Sequence, residues 1–364
     1  MVKKAVITVL IFMFFVVLTA QVLLPDINYW QSDAAIGWKH TSSFSDVFRS
    51  SEFKTKIQFN KEGFRDSEHK INKQKNVLRV AVIGDSFVEG LQVNGDKLLT
   101  TILGTKLNLV KNSEVMNFGV SSFGTTNEYL TYEAYVKKYK PDYVVIVFSV
   151  NDFIDNDKSL SEHRMSIELM KHRPYFFLDA DGGLAKEDFV PFKRNAAVEI
   201  LRKIKLFSFF RNIMFKLKVK KNHDALRDEL NFYGIEYSPQ TQASAVLTQK
   251  ILREFLSAIV NDKAIPLVVL FYPAYVVDTY HKDKLMRNAA WDKIDINKPL
   301  NIIEKECRSV NVDVVDMRQL QLSNEYSGGN TIFFKEGHWN ERGHELAATT
   351  IAQSIISKIA SHTK

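Results

Sequence analysis

The chain has 364 residues, 45% hydrophobic and 25% charged, enough apolar material for a sizeable core and too much for wholesale disorder. Its 15 glycines and 8 prolines exclude collagen-like and low-complexity classes, and its one cysteine, Cys307, excludes an intramolecular disulfide framework or a cysteine-rich zinc site. The net charge of +7 is local: residues 193–221 hold ten Lys/Arg against one acid, which leaves −2 for the rest of the chain.

Lys3 and Lys4 precede an uncharged run from Ala5 to Leu24. Twenty residues at ~1.5 Å each reach ~30 Å, the thickness of a bilayer's hydrocarbon core. Leu18-Thr19-Ala20 is a poor small-x-small cleavage site. The run also exceeds the ~7–15 residues of a signal-peptide core, so residues 1–24 read as an uncleaved signal anchor in preference to a cleaved signal peptide. Lys3 and Lys4 then stay cytoplasmic, which puts the rest on the periplasmic or extracellular side of the cytoplasmic membrane, or secretes it if the segment is cleaved.

Residues 25–76 are polar and mixed, and read as a stalk with some strand around Lys54–Phe59. From Val77 a rhythm begins. Runs of strand character lie at Leu78–Ile83, Val115–Phe118, Tyr143–Phe148, Leu267–Tyr272 and Val312–Val315. Helix-like stretches alternate with them at Lys97–Leu107, Asn127–Lys138, Gln242–Val260, Pro299–Val310 and Glu341–Ile359, the last capped by Asn340. The alternation predicts an α/β domain over residues 77–361 with a mainly parallel five-stranded sheet. Residues 153–240 break the rhythm as a long insertion containing the basic segment.

In open parallel sheets, chemistry gathers outside the carboxyl ends of the strands. Gly84-Asp85-Ser86-Phe87 follows the first run, Gly119 to Gly124 the second, and Ser149-Val150-Asn151-Asp152 the third; Glu336-Gly337-His338-Trp339-Asn340 comes well after the fifth. This set suits acyl transfer through serine. Ser86 is the candidate nucleophile and His338 the base that accepts its proton. Glu336 is the candidate acid that holds the imidazole's tautomer. The Ser86 and Gly119 backbone N–H groups and the Asn151 side-chain amide are candidate donors to the oxyanion.

These four blocks resemble the SGNH hydrolases, the GDSL lipase/esterase superfamily, with Phe87 where Leu is usual. The resemblance runs from about Val77 to Ile359 and leaves the insertion uncovered. It implies a flavodoxin-like three-layer α/β/α sandwich without a cofactor, and a family of esterases, lipases, carbohydrate deacetylases and polysaccharide O-acetyltransferases. One departure concerns the acid. The family ordinarily has Asp two or three residues before the His; here these positions are Glu336 and Lys335.

Other candidates read more plainly. Asp85 is a turn and hydrogen-bonding residue, Gly124 a turn glycine, His344 a structural residue of the last helix, and Cys307 a core residue. Asp316 is a reserve for the acid. His163, His172 and His223 show no metal-ligand spacing, so no metal is expected. The expected function is a serine esterase that hydrolyses or transfers a short acyl group, acetyl in the simplest case, on a glycan or cell-envelope substrate. A polysaccharide O-acetyltransferase and a non-catalytic glycan-binding or assembly protein are the alternatives. The basic segment 193–221 reads as a solvated helix face, a contact with an anionic membrane, or an attractor of acidic polysaccharide. Nucleic acid is not expected, and the oligomeric state is open.

Overall fold

The computed structural model describes residues 2–23, 29–164, 167–219, 225–278, 293–323 and 331–362. Leu24 of the expected anchor, residues 25–28 of the expected stalk, Lys220 and Lys221 of the basic segment, and His223 lie outside the described residues.

Eleven strands are described: β1 (Trp30–Asp33), β2 (Gly37–His40), β3 (Ser45–Arg49), β4 (Lys54–Gln58), β5 (Leu78–Gly84), β6 (Ser113–Gly119), β7 (Tyr143–Phe148), β8 (Phe176–Leu178), β9 (Leu184–Lys186), β10 (Ile265–Leu270) and β11 (Asp313–Asp316). Five form the central sheet in the order β11-β10-β7-β5-β6, every pair parallel. Counted from β5, this is the flavodoxin-like order 2-1-3-4-5.

The sheet is apolar on both faces because helices cover both. Along β5, Ala81 and Ile83 join one core cluster while Val80 and Val82 join the other. This is the period-two alternation of a strand feeding two layers. The helices Leu99–Asn108 and Glu341–His362 bury Leu103, Leu107, Ile351 and Ile355 on one side. The helices Pro239–Asn261 and Lys298–Ser309 bury Leu252, Phe255, Ile259 and Ile303 on the other. Cys307 sits in this second core, and burial pushes its thiol up to about 12. Asn340 caps the last helix as expected, its Oδ1 accepting from the N–H groups of Arg342 and Gly343.

Residues 29–76 are not an extended stalk. They form two antiparallel hairpins, β1–β2 and β3–β4, folded against the domain. Trp38, Ile57, Phe59 and Phe64 are fully buried, and the Arg65 guanidinium donates to the carbonyls of Glu89, Gly90 and Val93. The polar composition misleads because each short strand needs only one or two apolar residues, such as Trp38 in β2 and Ile57 in β4, to pack on the domain. Along β4 only one face meets the domain, exposed and buried by turns, whereas β2 is buried at three of its four residues.

The helix Val2–Leu23 has mean hydropathy 2.6 over Lys3–Val22 and is long and apolar enough to cross a membrane; a signal sequence passes the same test. Near its end, Gln21 Nε2 donates to the Lys203 carbonyl, and Gln21 Oε1 accepts from the Lys205 N–H. The basic helix Lys205–Val219 therefore starts beside the end of the apolar one.

Candidate active site

The site is built at the carboxyl ends of β5, β6 and β7. β5 ends at Gly84, and a four-residue helix, Ser86–Glu89, starts at once. Asp85 caps that helix, its Oδ1 accepting from the Phe87 N–H at 2.9 Å. Asp85 thus has the turn role expected of it. Ser86 is the first residue of the helix, so its N–H has no intrahelical acceptor.

His338 reaches Ser86 from 252 residues away in sequence, with Nε2 at 2.8 Å from Ser86 Oγ. His338 Nδ1 lies 3.0 Å from Glu336 Oε1. Ser86, His338 and Glu336 thus form one hydrogen-bonded line. Burial depresses the His338 pKa, but the hydrogen bond and charge of Glu336, backed by Asp85 and Glu89, outweigh it and raise the imidazole above 6.5. Beneath the imidazole, Phe87 packs at 5.4 Å between ring centroids and is itself wedged against Phe271 and Trp339.

The other candidates for base and acid are committed elsewhere. His344 is buried, its Nδ1 accepts from the Leu99 N–H, and desolvation lowers its pKa to about 3. Asp316 takes three hydrogen bonds from Arg318, one from the backbone and two from the guanidinium. Lys335 is exposed, and its N–H donates to Glu52 at 2.8 Å.

Gly119 has a different role from the one expected. Its N–H already donates to Asn117 Oδ1 at 2.9 Å, so it is not free for an oxyanion. A Cβ at Gly119 would lie 2.6 Å from the Val88 carbonyl carbon, so glycine is required there to let the helix Ser86–Glu89 approach β6. Asn117 completes the contact by donating to the Val88 carbonyl at 2.9 Å.

Asn151 comes to the same edge. Its Nδ2 donates to Asp85 at 3.3 Å and to Asp155 at 3.0 Å. Below it lies a layer of carboxyls. Burial pushes Asp85 up to about 6, and burial with neighbouring acids pushes Glu128 and Asp152 well above the carboxylate range. Arg173, from the insertion, pairs with Asp155 at 3.1 Å.

Several groups at this edge carried no sequence signal. The turn after β6 places Ser122 at φ +64°, a left-handed conformation usually reserved for glycine. Glu89 holds this turn, bonding both the Ser121 N–H and its hydroxyl, and Glu89 is bonded in turn to His40 from β2. Trp38 Nε1 donates to the Ser121 carbonyl, and Arg173 donates to the Ser122 carbonyl. Among the described residues, no group of three or more His, Cys, Asp or Glu is placed to hold a metal ion.

A search of curated proteins found no match. Among solved structures, a putative lipolytic protein of the G-D-S-L family from Desulfitobacterium hafniense aligns at 14% identity and TM-score 0.38, covering 76% of this chain and 98% of its own. The acetyl xylan esterase AlAXEase aligns at 14% identity and TM-score 0.43, covering 76% and 100%. A catalytic mutant of an acetylxylan esterase from Geobacillus stearothermophilus aligns at 12% identity and TM-score 0.42, covering 76% and 94%. Scores this low speak to neither substrate nor activity. The model of the GDSL-like Lipase/Acylhydrolase family matches residues 80–170, the stretch that contains Ser86, Gly119 and Asn151. That stretch carries the signature of the GDSL-like lipases and acylhydrolases, the family to which the sequence blocks pointed.

Proposed function

We propose that this protein is a serine esterase that removes a short acyl group, in the simplest case acetyl, from a glycan or cell-envelope sugar. The observation that carries the reading is the unbroken line from Ser86 Oγ through His338 to Glu336, at 2.8 and 3.0 Å. Distances of this kind are what a nucleophile, its base and the base's orienting acid require.

In the reaction, Ser86 Oγ attacks the ester carbon while His338 Nε2 takes its proton. The tetrahedral intermediate collapses, and His338 returns the proton to the departing sugar oxygen. Water then attacks the acyl-serine, giving its proton to His338, which passes it to Ser86 Oγ as the acid departs. Glu336 stays ionised throughout, holds the Nδ1 hydrogen and stabilises the imidazolium. The Ser86 N–H is the proposed oxyanion donor, and the Asn151 amide joins it by giving up its hydrogen bond to Asp85, the longer of its two at 3.3 Å. With the Gly119 N–H committed to Asn117 and the Ser121 N–H to Glu89, the Ser122 N–H is the next backbone donor on that side.

The test is covalent labelling of the full-length protein in detergent with a fluorophosphonate probe. Wild type is expected to label and Ser86→Ala to remain unlabelled. A wild type that resists the probe, or a Ser86→Ala variant that takes it up equally, removes the serine reading.

We also propose that the helix Val2–Leu23 anchors the chain and that the basic helix beside its end rests on an anionic membrane surface. Its exposed Phe210, Ile213 and Met214, at helical spacing, support that reading. Protein lacking residues 2–23 should then float with anionic vesicles at low salt and release as salt rises, since exposed charges are screened over ~10 Å at 0.1 M. Absence of flotation at low salt returns the segment to a solvated face.

A further inference from the structure

A cleft of about 400 Å³ opens between the β3–β4 hairpin and the loop that carries His338. Its walls include Phe53, Phe334, Gln92, Asn94 and Arg342. Three observations tie it to the candidate active site. First, Phe333 and Trp339 face each other across a short antiparallel bridge, and both are buried in the core. The next pair, Phe334 and His338, is joined by the Phe334 N–H donating to the His338 carbonyl at 2.8 Å. Phe334 and Asn340, which flank the turn that carries His338, both line the cleft. Second, the hairpin tip is fastened to this loop. Phe53 meets Phe334 at 5.2 Å between centroids, and Glu52 accepts the Lys335 N–H at 2.8 Å. Third, Gln92 and Asn94 lie on the segment just past the helix that starts with Ser86.

The chemistry of the walls is mixed in a specific way. Two aromatic rings offer apolar faces. Amides and a guanidinium offer directional hydrogen bonds. Gln92 is only 7% exposed, and its Oε1 finds no hydrogen-bond partner among the described residues. A buried acceptor without a donor is unfavourable, and a ligand hydroxyl at this wall would satisfy it. The volume falls within the ~300–1,000 Å³ of small-molecule sites. A pyranose ring has this pairing of surfaces, apolar C–H faces and a rim of hydroxyls. We propose that the cleft is the subsite for the pyranose ring that bears the acyl group, with Phe53 and Phe334 against its face and Gln92 at its rim. This rests on the reading of Ser86 and His338 as nucleophile and base, and it gives the N-terminal hairpin a role in selecting the substrate.

The experiment separates binding from turnover. Full-length Ser86→Ala protein in detergent is titrated with glucose pentaacetate, an O-acetylated pyranose, and binding is followed by ligand-observed NMR. Saturable binding is expected. Adding Phe53→Ala should weaken it about tenfold. Adding Gln92→Ala should weaken it about threefold, and Phe53→Tyr, which keeps the ring, should restore it to within about twofold. In the wild-type background, Phe53→Ala should lower kcat/KM for glucose pentaacetate about tenfold and for 4-nitrophenyl acetate, which carries no sugar, less than twofold. Absence of saturable binding, an unchanged affinity in both cleft variants, or equal kinetic losses on the two esters would overturn the proposal. Binding by the Ser86→Ala protein with no hydrolysis by wild type would leave the subsite standing and remove the esterase reading instead.

Discussion

Two regions meet at the carboxyl edge of the sheet, and the chain encodes them in opposite ways. The strand ends of β5 and β7 and the loop at 336–340 carry chemically marked residues: a serine after a glycine turn, an asparagine after a strand, an acid and a histidine before a helix. The hairpins of residues 29–76 carry nothing of the kind, yet they bury Trp38 and His40 and fasten the turn at Ser121 through Glu89. Chemistry needs one residue type at one place, so it leaves a mark in a short stretch. Packing needs only a compatible face, which many sequences supply, so it leaves none.

The sharpest way to break this comparison is at the nucleophile. Ser86→Ala and His338→Ala should each lower kcat for 4-nitrophenyl acetate by roughly 10⁴-fold or more, with thermal stability kept. Turnover by either variant near wild type would strip the marked region of its role.

Glu336→Gln should cost less, ~10- to 10⁴-fold in kcat, because the loop still supplies part of the orientation. It also changes the pH profile. In the proposed mechanism neutral His338 is the active form, and its pKa is raised above 6.5 chiefly by Glu336 working against burial. The acid limb of kcat/KM in wild type should therefore lie above pH 6.5 and move to lower pH in Glu336→Gln. A limb that stays put would assign the acid elsewhere.

The unmarked region is tested by Trp38→Ala and Glu89→Gln. Emptying the fully buried Trp38 site should destabilise the protein by ~3–5 kcal/mol in denaturant titrations. Glu89→Gln, which disturbs the bonds to His40 and Ser121, should cost ~1–3 kcal/mol and lower kcat with little change in KM. Unaltered stability in both would make the hairpins a loose appendage after all.

Smaller effects lie beneath and beside the site. Asp85 titrates near 6 in the fold against 3.8 for the ordinary carboxyl, so the native state binds its proton more tightly. Stability should then fall as pH rises from about 4 to about 6, by order 1–3 kcal/mol, and Asp85→Asn should flatten that slope while keeping the helix cap. Smallest of all, Asp316→Asn should leave kcat within about twofold of wild type, since its carboxylate serves Arg318.

The fold was legible to the extent that its strands are nearly continuous apolar runs. Tyr143–Phe148 was delimited to the residue, and the order of strands and helices implied a parallel sheet. The Glu336–His338 pair was legible as residue types, but the turn that brings the two together was not. Gly337 takes φ +100°, and its N–H donates to the Phe334 carbonyl, so a tight turn and not simple alternation brings the two together. Gly119 was legible as a required glycine, though the steric demand comes from the approaching Val88 and not from an oxyanion.

By itself the sequence determined which residues are the candidates for nucleophile, base and acid, because those roles depend on functional groups that only a few side chains possess. It also determined the period-two and helical patterns that sort the chain into layers. Only the tertiary structure decided which N–H groups are already spent, that His344 and Asp316 serve structural partners, and that the β3–β4 hairpin closes one wall of a cleft against Phe334 and Asn340. These are matters of pairing between groups far apart in the chain. A hydrogen bond consumed by a distant partner, or a ring seated against a distant ring, changes no residue's identity and so is written only in space.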